Sequence, residues 1–258
     1  DVDPILHSFK NSQHLRVGVR DILGKEDIGA TTTALSDIAE VCLKQIGQWE
    51  YERLVARFGE PTWTTEDGTT RPCELITLAM GKLGGREPNY HSDLDVVFVY
   101  EQEGSTQPRG AGAGEDSTSN QHFFSELGQR IIKYATRLGP HGRLYEVDIR
   151  LRPTGKSGAL AVSLEGLQKY FDEGHGQLWE RQALCKARPI GCSEAAGRRA
   201  MRVVHAAIQR PAWRDESAGE IRDMRRRLEE TASPRNLKRG PGGTVDIEFI
   251  AQMWQLRR

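Results

Sequence analysis

The chain has 258 residues, 37% of them hydrophobic, with 36 Lys plus Arg against 36 Asp plus Glu. That length and apolar content support a genuine core of one large or two ordinary domains, and a zero net charge gives no overall pull towards nucleic acid or an anionic membrane. No apolar run approaches the roughly 18 residues of a membrane span, and Asp1-Val2-Asp3-Pro4 resembles no signal peptide.

Cys42, Cys73, Cys185 and Cys192 form no CxxC pair and no zinc-like cluster with histidine, so reduced thiols in the cytosol are expected. Charge is unevenly spread: residues 181–258 hold 17 Lys/Arg against 9 Asp/Glu, a net +8 that residues 1–180 balance with −8. This is either a docking surface for an acidic partner or a set of solvated helix faces. The chain has no initiator Met and a helical pattern runs up to Arg258, so we expect a piece of a longer polypeptide, truncated at its C-terminus.

In chain order, Leu35, Ile38, Cys42, Ile46, Trp49 and Leu54 predict a long amphipathic helix reaching Phe58, with Thr32 and Thr33 as available caps. Glu74 to Met80 reads as a buried strand, and Leu94-Asp95-Val96-Val97-Phe98-Val99-Tyr100 as a stronger one. Residues 103–119 are polar and Gly-rich and predict a mobile loop. Phe124, Leu127, Ile131, Tyr134 and Leu138 predict a helix ended by Gly139-Pro140. Leu144 to Leu151 alternates, predicting a third strand with Glu146, Asp148, Arg150 and Arg152 on one face. Helix signals dominate beyond Ser163. The expected organisation is a helical segment over 1–70, a catalytic core over 71–162 and a helical domain over 163–258.

The chemically informative stretch runs from Met80 to Asp95: strand end, glycine-rich turn, then two carboxylates opening the next strand. Glycines let backbone N–H groups approach an anion. Asp93 and Asp95, two apart on a strand, point to one place, and paired hard oxygens beside a phosphate cradle suit Mg²⁺. Each piece alone also fits a plain turn with an Asp cap; the combination, with Asp148 on a later strand, points to a two-metal phosphoryl-transfer site. Arg150 and Arg152 either neutralise a triphosphate or pair with Glu146 or another neighbour. Arg239-Gly240-Pro241-Gly242-Gly243-Thr244 is either an anion site or a loop capped by Thr244 or Asp246. Trp179, Trp213 and Trp254 are expected as core anchors.

Strand, glycine turn, D-x-D pair and a third carboxylate on a later strand form the pattern of the DNA polymerase beta-like nucleotidyltransferase superfamily. Gly81-Lys82-Leu83-Gly84-Gly85-Arg86-Glu87, Ser92-Asp93-Leu94-Asp95, Asp148-x-Arg150-Leu151-Arg152-Pro153 and Gly155-x-Ser157-Gly158 more closely resemble the glutamine synthetase adenylyltransferase family. So do Trp179-Glu180-x-Gln182-Ala183-Leu184, Ala187-Arg188, Gly242-Gly243-x-x-Asp246-Ile247-Glu248-Phe249, Phe9-Lys10 and Leu15-Arg16. The resemblance implies an α/β (α+β) fold with a small mixed sheet plus a helical domain, and a cytoplasmic enzyme using Mg²⁺ and ATP. It implies glutamine synthetase as protein substrate and regulation by a PII-type signalling protein, with no nucleic-acid or membrane partner. Carried onto this chain, Asp93, Asp95 and Asp148 hold metal and act in catalysis, while Gly81, Lys82, Gly84, Gly85, Ser92, Arg150 and Arg152 bind nucleotide. Wording around Leu144–Asp148, Gln182–Leu184, Met224-Arg225 and Gly243–Phe249 resembles the adenylylating half, while Trp179-Glu180-Arg181 and Lys186 resemble the deadenylylating one. The expectation is transfer of AMP to a tyrosine hydroxyl; the reverse-acting half, a small-molecule nucleotidyltransferase and an idle regulatory module are the alternatives.

Overall fold

The computed structural model of the chain describes residues 3–108, 116–233 and 235–258. It opens with α1 (Asp3–Ile22) and α2 (Ile28–Phe58), followed by β1 (Glu60–Thr64), β2 (Thr70–Pro72) and β3 (Leu75–Ala79). A single helical turn, α3 (Gly81–Gly84), leads to β4 (Leu94–Tyr100) and β5 (Ser105–Gln107). Then come α4 (Asn120–Thr136), β6 (Val147–Asp148), β7 (Ala161–Ser163), α5 (Leu164–Asp172) and α6 (Leu178–Leu184). The chain closes with β8 (Arg188–Ile190), α7 (Glu194–Gln209), α8 (Asp215–Glu230) and α9 (Thr244–Arg257). The expected α/β architecture is present, a small mixed sheet with helices on both faces.

β4 is the organising strand, and its bounds match those read from the sequence. It runs antiparallel to β3, Leu75 opposite Tyr100 and Ala79 opposite Val96. β8 adds to the far side of β3. On the other side of β4, β6 pairs in parallel with its start and β7 in parallel with its end. Strand alternation sends Leu94, Val96, Phe98 and Tyr100 into a core shared with α1, α2 and α4, while Val97 and Val99 join Ile76 and Leu78 in a second core under the later helices. By the same alternation Asp93 and Asp95 belong to the second face, above the apolar part of the strand. β1, β2 and β5 make a separate antiparallel sheet.

Several expectations are corrected. α2 starts at Ile28 and is capped by Asp27, which accepts the Ala30 N–H at 2.7 Å; Thr32 instead donates its hydroxyl to Gly29 O. Within the expected loop, Ser105–Gln107 is a strand paired with β1, and Thr106 is buried. Backbone pairing at a sheet edge needs no apolar side chains, so composition did not reveal it; residues 109–115 of that loop lie outside the described residues. The third strand shrinks to Val147–Asp148, because Pro153 and the left-handed Thr154 (φ 58°) and Gly155 (φ 56°) carry the chain off the edge of β4 before it returns as β7. The C-terminal segment contributes β8 to the central sheet; an Arg-Pro-Ile edge strand is too short to show a period. Trp213 packs on the second core, but Trp179 and Trp254 are 36% and 60% exposed and anchor nothing there.

Candidate metal and nucleotide site

Antiparallel pairing places the end of β3 beside the start of β4, so the glycine turn and the carboxylates are brought together by the hairpin itself. The Met80 N–H donates to Asp95 O at 2.9 Å. Gly81 follows in the left-handed region (φ 50°), where a Cβ would overlap an Asp95 carboxylate oxygen. Only glycine satisfies both conditions. The parallel register of β4 with β6 sets Asp148 directly opposite Asp95. Asp93, Asp95 and Asp148 thereby each offer one oxygen within 4.8 Å of the others, Asp93 exposed and the other two half-buried.

Crowding has an electrostatic cost. Burial, and then the charges of Asp93 and Asp148, push the Asp95 carboxyl up to about 6, against the partial relief of Lys238 and Arg150. Arg150 already leans on the cluster: its Nε donates to Asp148 Oδ1 at 3.0 Å and Oδ2 at 2.8 Å. Three hard oxygens that repel one another, with a guanidinium drawn against one of them, are a donor set that fits a divalent cation such as Mg²⁺.

The other nucleotide-binding candidates divide. Lys82 is half-buried on α3, next to Gly81. The Ser92 hydroxyl accepts the Asn89 N–H at 3.0 Å and donates to Asn89 Oδ1 at 2.9 Å, fastening the turn ahead of Asp93. At Gly84 a Cβ would overlap Lys186 O, so this glycine admits the approach to β8; at Gly85 a Cβ would lie 2.8 Å from Glu87 Oε1. Arg152 does not join the cluster: it is buried and donates to Ile149 O at 2.8 Å. The Arg239–Thr244 segment is a loop tied by Asp246, which accepts the Gly242 N–H at 2.7 Å and pairs with Arg225.

Three cations important to the site escaped the sequence reading. Arg188 donates to Leu83 O (3.0 Å), Gly84 O (3.2 Å) and Glu40 (2.6 Å), satisfying the carbonyl end of α3 and locking it to α2. Lys186 joins Glu87 to Glu248 of α9, the latter at 2.8 Å. Lys238 bears on Asp95 from the loop before α9. The motif Ala187-Arg188 marked the neighbourhood without indicating its contacts. Glu180 and Arg181 serve the scaffold: Arg181 donates to Ala207 O, Ile208 O and Pro211 O, closing the end of α7, and Glu180 accepts from Tyr170 and from the Gln177 N–H.

The fold defines a nucleotidyltransferase-type α/β domain with a helical part. The family model described as glutamate-ammonia ligase adenylyltransferase matches residues 4–203. Proteins named bifunctional glutamine synthetase adenylyltransferase/adenylyl-removing enzyme align along nearly the whole chain. That of Thioalkalivibrio sulfidiphilus is 37% identical over 257 residues, 98% of this chain and 25% of the relative. That of Shewanella loihica is 36% identical over 262 residues, 100% and 26% respectively, and that of Pseudomonas aeruginosa 34% over 256 residues, 97% and 25%. The chain belongs to the glutamate-ammonia ligase adenylyltransferase family, and it spans about a quarter of the length of these relatives. Among the described residues no helix is long and apolar enough to cross a membrane.

Proposed function

We propose that this chain is a catalytic nucleotidyltransferase unit that moves AMP from ATP to a tyrosine hydroxyl of glutamine synthetase, releasing diphosphate. The observation that carries this reading is the convergence of Asp93, Asp95 and Asp148 within 4.8 Å, against the Gly81 turn. Those three carboxylates would hold Mg²⁺, which supplies charge neutralisation at the phosphates and alignment of attacking and leaving oxygens. The Gly81 turn, packed against Asp95, and Lys82 beside it would bind the polyphosphate through backbone N–H groups and the ammonium. Ser92 keeps the turn in shape, and Arg150, which lies against Asp148, would meet a phosphate oxygen bidentately. A tyrosine hydroxyl, with a free pKa near 10, must lose its proton on attack, and in this reading Asp148, on the separate strand β6, would help to receive it. Alignment and electrostatics then account for most of the rate. Cytoplasmic location and a PII-type regulator belong to this reading through the family resemblance.

The relatives' names carry both activities, and the site suits either direction because both cross related transition states at one phosphorus. The test has two arms: unmodified glutamine synthetase with labelled ATP and Mg²⁺, and adenylylated glutamine synthetase with phosphate. Label incorporation in the first arm supports the proposal. Release of ADP in the second arm without incorporation in the first assigns the reverse reaction, and silence in both overturns the catalytic reading.

A further inference from the structure

Two tyrosines stand three residues ahead of the carboxylates, Tyr90 before Asp93 and Tyr145 before Asp148. Both are half-buried against the core that α1 shares, and one face of α1 meets them. Lys10, His14, Gly18 and Asp21 recur at helical spacing, a stripe about 16 Å long at a rise of about 1.5 Å per residue. At its N-terminal end, Lys10 Nζ lies 4.6 Å from the centre of the Tyr145 ring, and His14 Nε2 lies 3.4 Å from the Tyr145 hydroxyl. At its C-terminal end, the Tyr90 hydroxyl donates to Asp21 Oδ2 at 3.1 Å, and a Cβ on Gly18 would stand 3.7 Å from the same hydroxyl oxygen. His14 is the common member. Its ring centre is 6.2 Å from that of Tyr90 and 6.3 Å from that of Tyr145, edge-on to both.

The carboxylates need such outside support. β6 is two residues long and pairs with β4 at Leu94–Val147 and Asp95–Asp148, while the Leu94 N–H donates to Glu146 O at 2.9 Å. A pairing this short resists fraying poorly by itself. Ahead of β4, Asp93 follows an irregular turn closed by the Asn89–Ser92 bonds. Tyr90 and Tyr145 are where these two approaches touch α1, so the helix fixes how far β6 stands from the start of β4.

We propose that His14 and Asp21 are positioning residues for nucleotidyl transfer, acting through Tyr145 and Tyr90 to hold Asp148 at its working distance from Asp93 and Asp95. This rests on the nucleotidyltransferase reading and extends the site to α1, a helix that contributes no carboxylate to the cluster. A metal held by oxygens from two strands is sensitive to a shift of either one, and a misplacement of about 1 Å can lower a rate about a hundredfold.

The test uses the 258-residue chain and its variants, well below their unfolding temperatures. It measures transfer in whichever direction the unaltered chain performs, and calorimetric binding of Mg²⁺ in the presence of a non-hydrolysable ATP analogue. His14→Ala, which releases both tyrosines, should lower kcat about ten- to a hundredfold and weaken Mg²⁺ about tenfold. At saturating Mg²⁺ it should leave the KM for ATP within about threefold. A merely destabilised fold would reduce the amount of active protein and leave the Mg²⁺ affinity of the folded fraction untouched. Asp21→Ala and Tyr90→Phe should each lower kcat about three- to tenfold, and the double variant no further than either alone, since both remove one bond. Asp21→Asn, which keeps an acceptor for the Tyr90 hydroxyl, should restore most of the rate. Unchanged kcat and Mg²⁺ affinity in His14→Ala, fully multiplicative losses in the double variant, or no rescue by Asp21→Asn would overturn the role while leaving the site reading standing. Silence of the unaltered chain in both directions would overturn both.

Discussion

Replacing Asp95 with Asn is expected to stabilise the fold while abolishing nucleotidyl transfer. The carboxyl's ordinary value, 3.8, lies about two decades of proton affinity below the value of about 6 it takes in the fold. At about 1.4 kcal/mol per decade, keeping it ionised at neutral pH costs at most about 3 kcal/mol. Partial solvent access and the polar amide left behind reduce the expected gain to about 1–2 kcal/mol, or about 3–6 °C for a chain of this size. The folded state holds this proton more tightly than the unfolded state, so the protonated carboxyl's contribution is present at low pH and is lost as pH rises through about 6. The advantage of Asp95→Asn should therefore be full at about pH 7.5 and fade towards about pH 4. Thermal unfolding in chelator across that range measures it, and added Mg²⁺ should raise the midpoint of the unaltered protein but not of the variant. A variant less stable than its parent in chelator near neutral pH, or a gap that ignores pH, would refute the picture of a crowded, destabilised carboxylate.

Gly81→Ala should cost about 1–3 kcal/mol and nearly all transfer activity, since the new methyl meets a left-handed backbone and an Asp95 oxygen together; denaturant unfolding and the transfer assay check the two losses. Arg188→Ala should destabilise by about 2–3 kcal/mol, because it strips Leu83 O, Gly84 O and Glu40 of a shared donor, and nucleotide affinity should fall with it. Burial pushes the Cys42 and Cys73 thiols up to about 12, so neither should react with a thiol reagent in the native protein at mildly alkaline pH. Reaction should appear on unfolding in denaturant, as spectrophotometric titration would show.

How much of the fold the sequence displays depends on whether local periodicity or distant pairing sets each element. β4 is fully legible because seven consecutive residues are buried or half-buried and their alternation feeds two cores at once. α2 and α4 are legible for the same reason, at period 3.6. β5 and β8 are not: each is three residues long and held by backbone bonds to a strand far away in sequence, which leaves no trace in composition. The alternation of Leu144–Leu151 misled because alternation says nothing about whether a partner edge is available along its whole length. Only Val147 and Asp148 find one, and the chain then turns away, so Arg150 folds back onto Asp148 while Arg152 is drawn inward to Ile149 O.

The same distinction divides the site. Asp93 and Asp95 are legible as a pair because strand geometry alone puts residues two apart on one side, and Gly81 because a hairpin must return to its own start. Asp148 joins them through one step of parallel register, a fact of tertiary pairing that the sequence offers only as a candidate. Lys186 and Arg188 reach partners 99 and 104 residues away. Such contacts carry no period, cap or spacing that a linear reading detects. They share a physical logic, however: Glu87 and the carbonyls of Leu83 and Gly84 around the α3 turn are met by Lys186 and Arg188 from the C-terminal third, where the sequence concentrates its net charge of +8. Part of the positive charge that resembled a generic docking surface is thus spent inside the molecule, fastening the helical part to the turn and the carboxylate cluster.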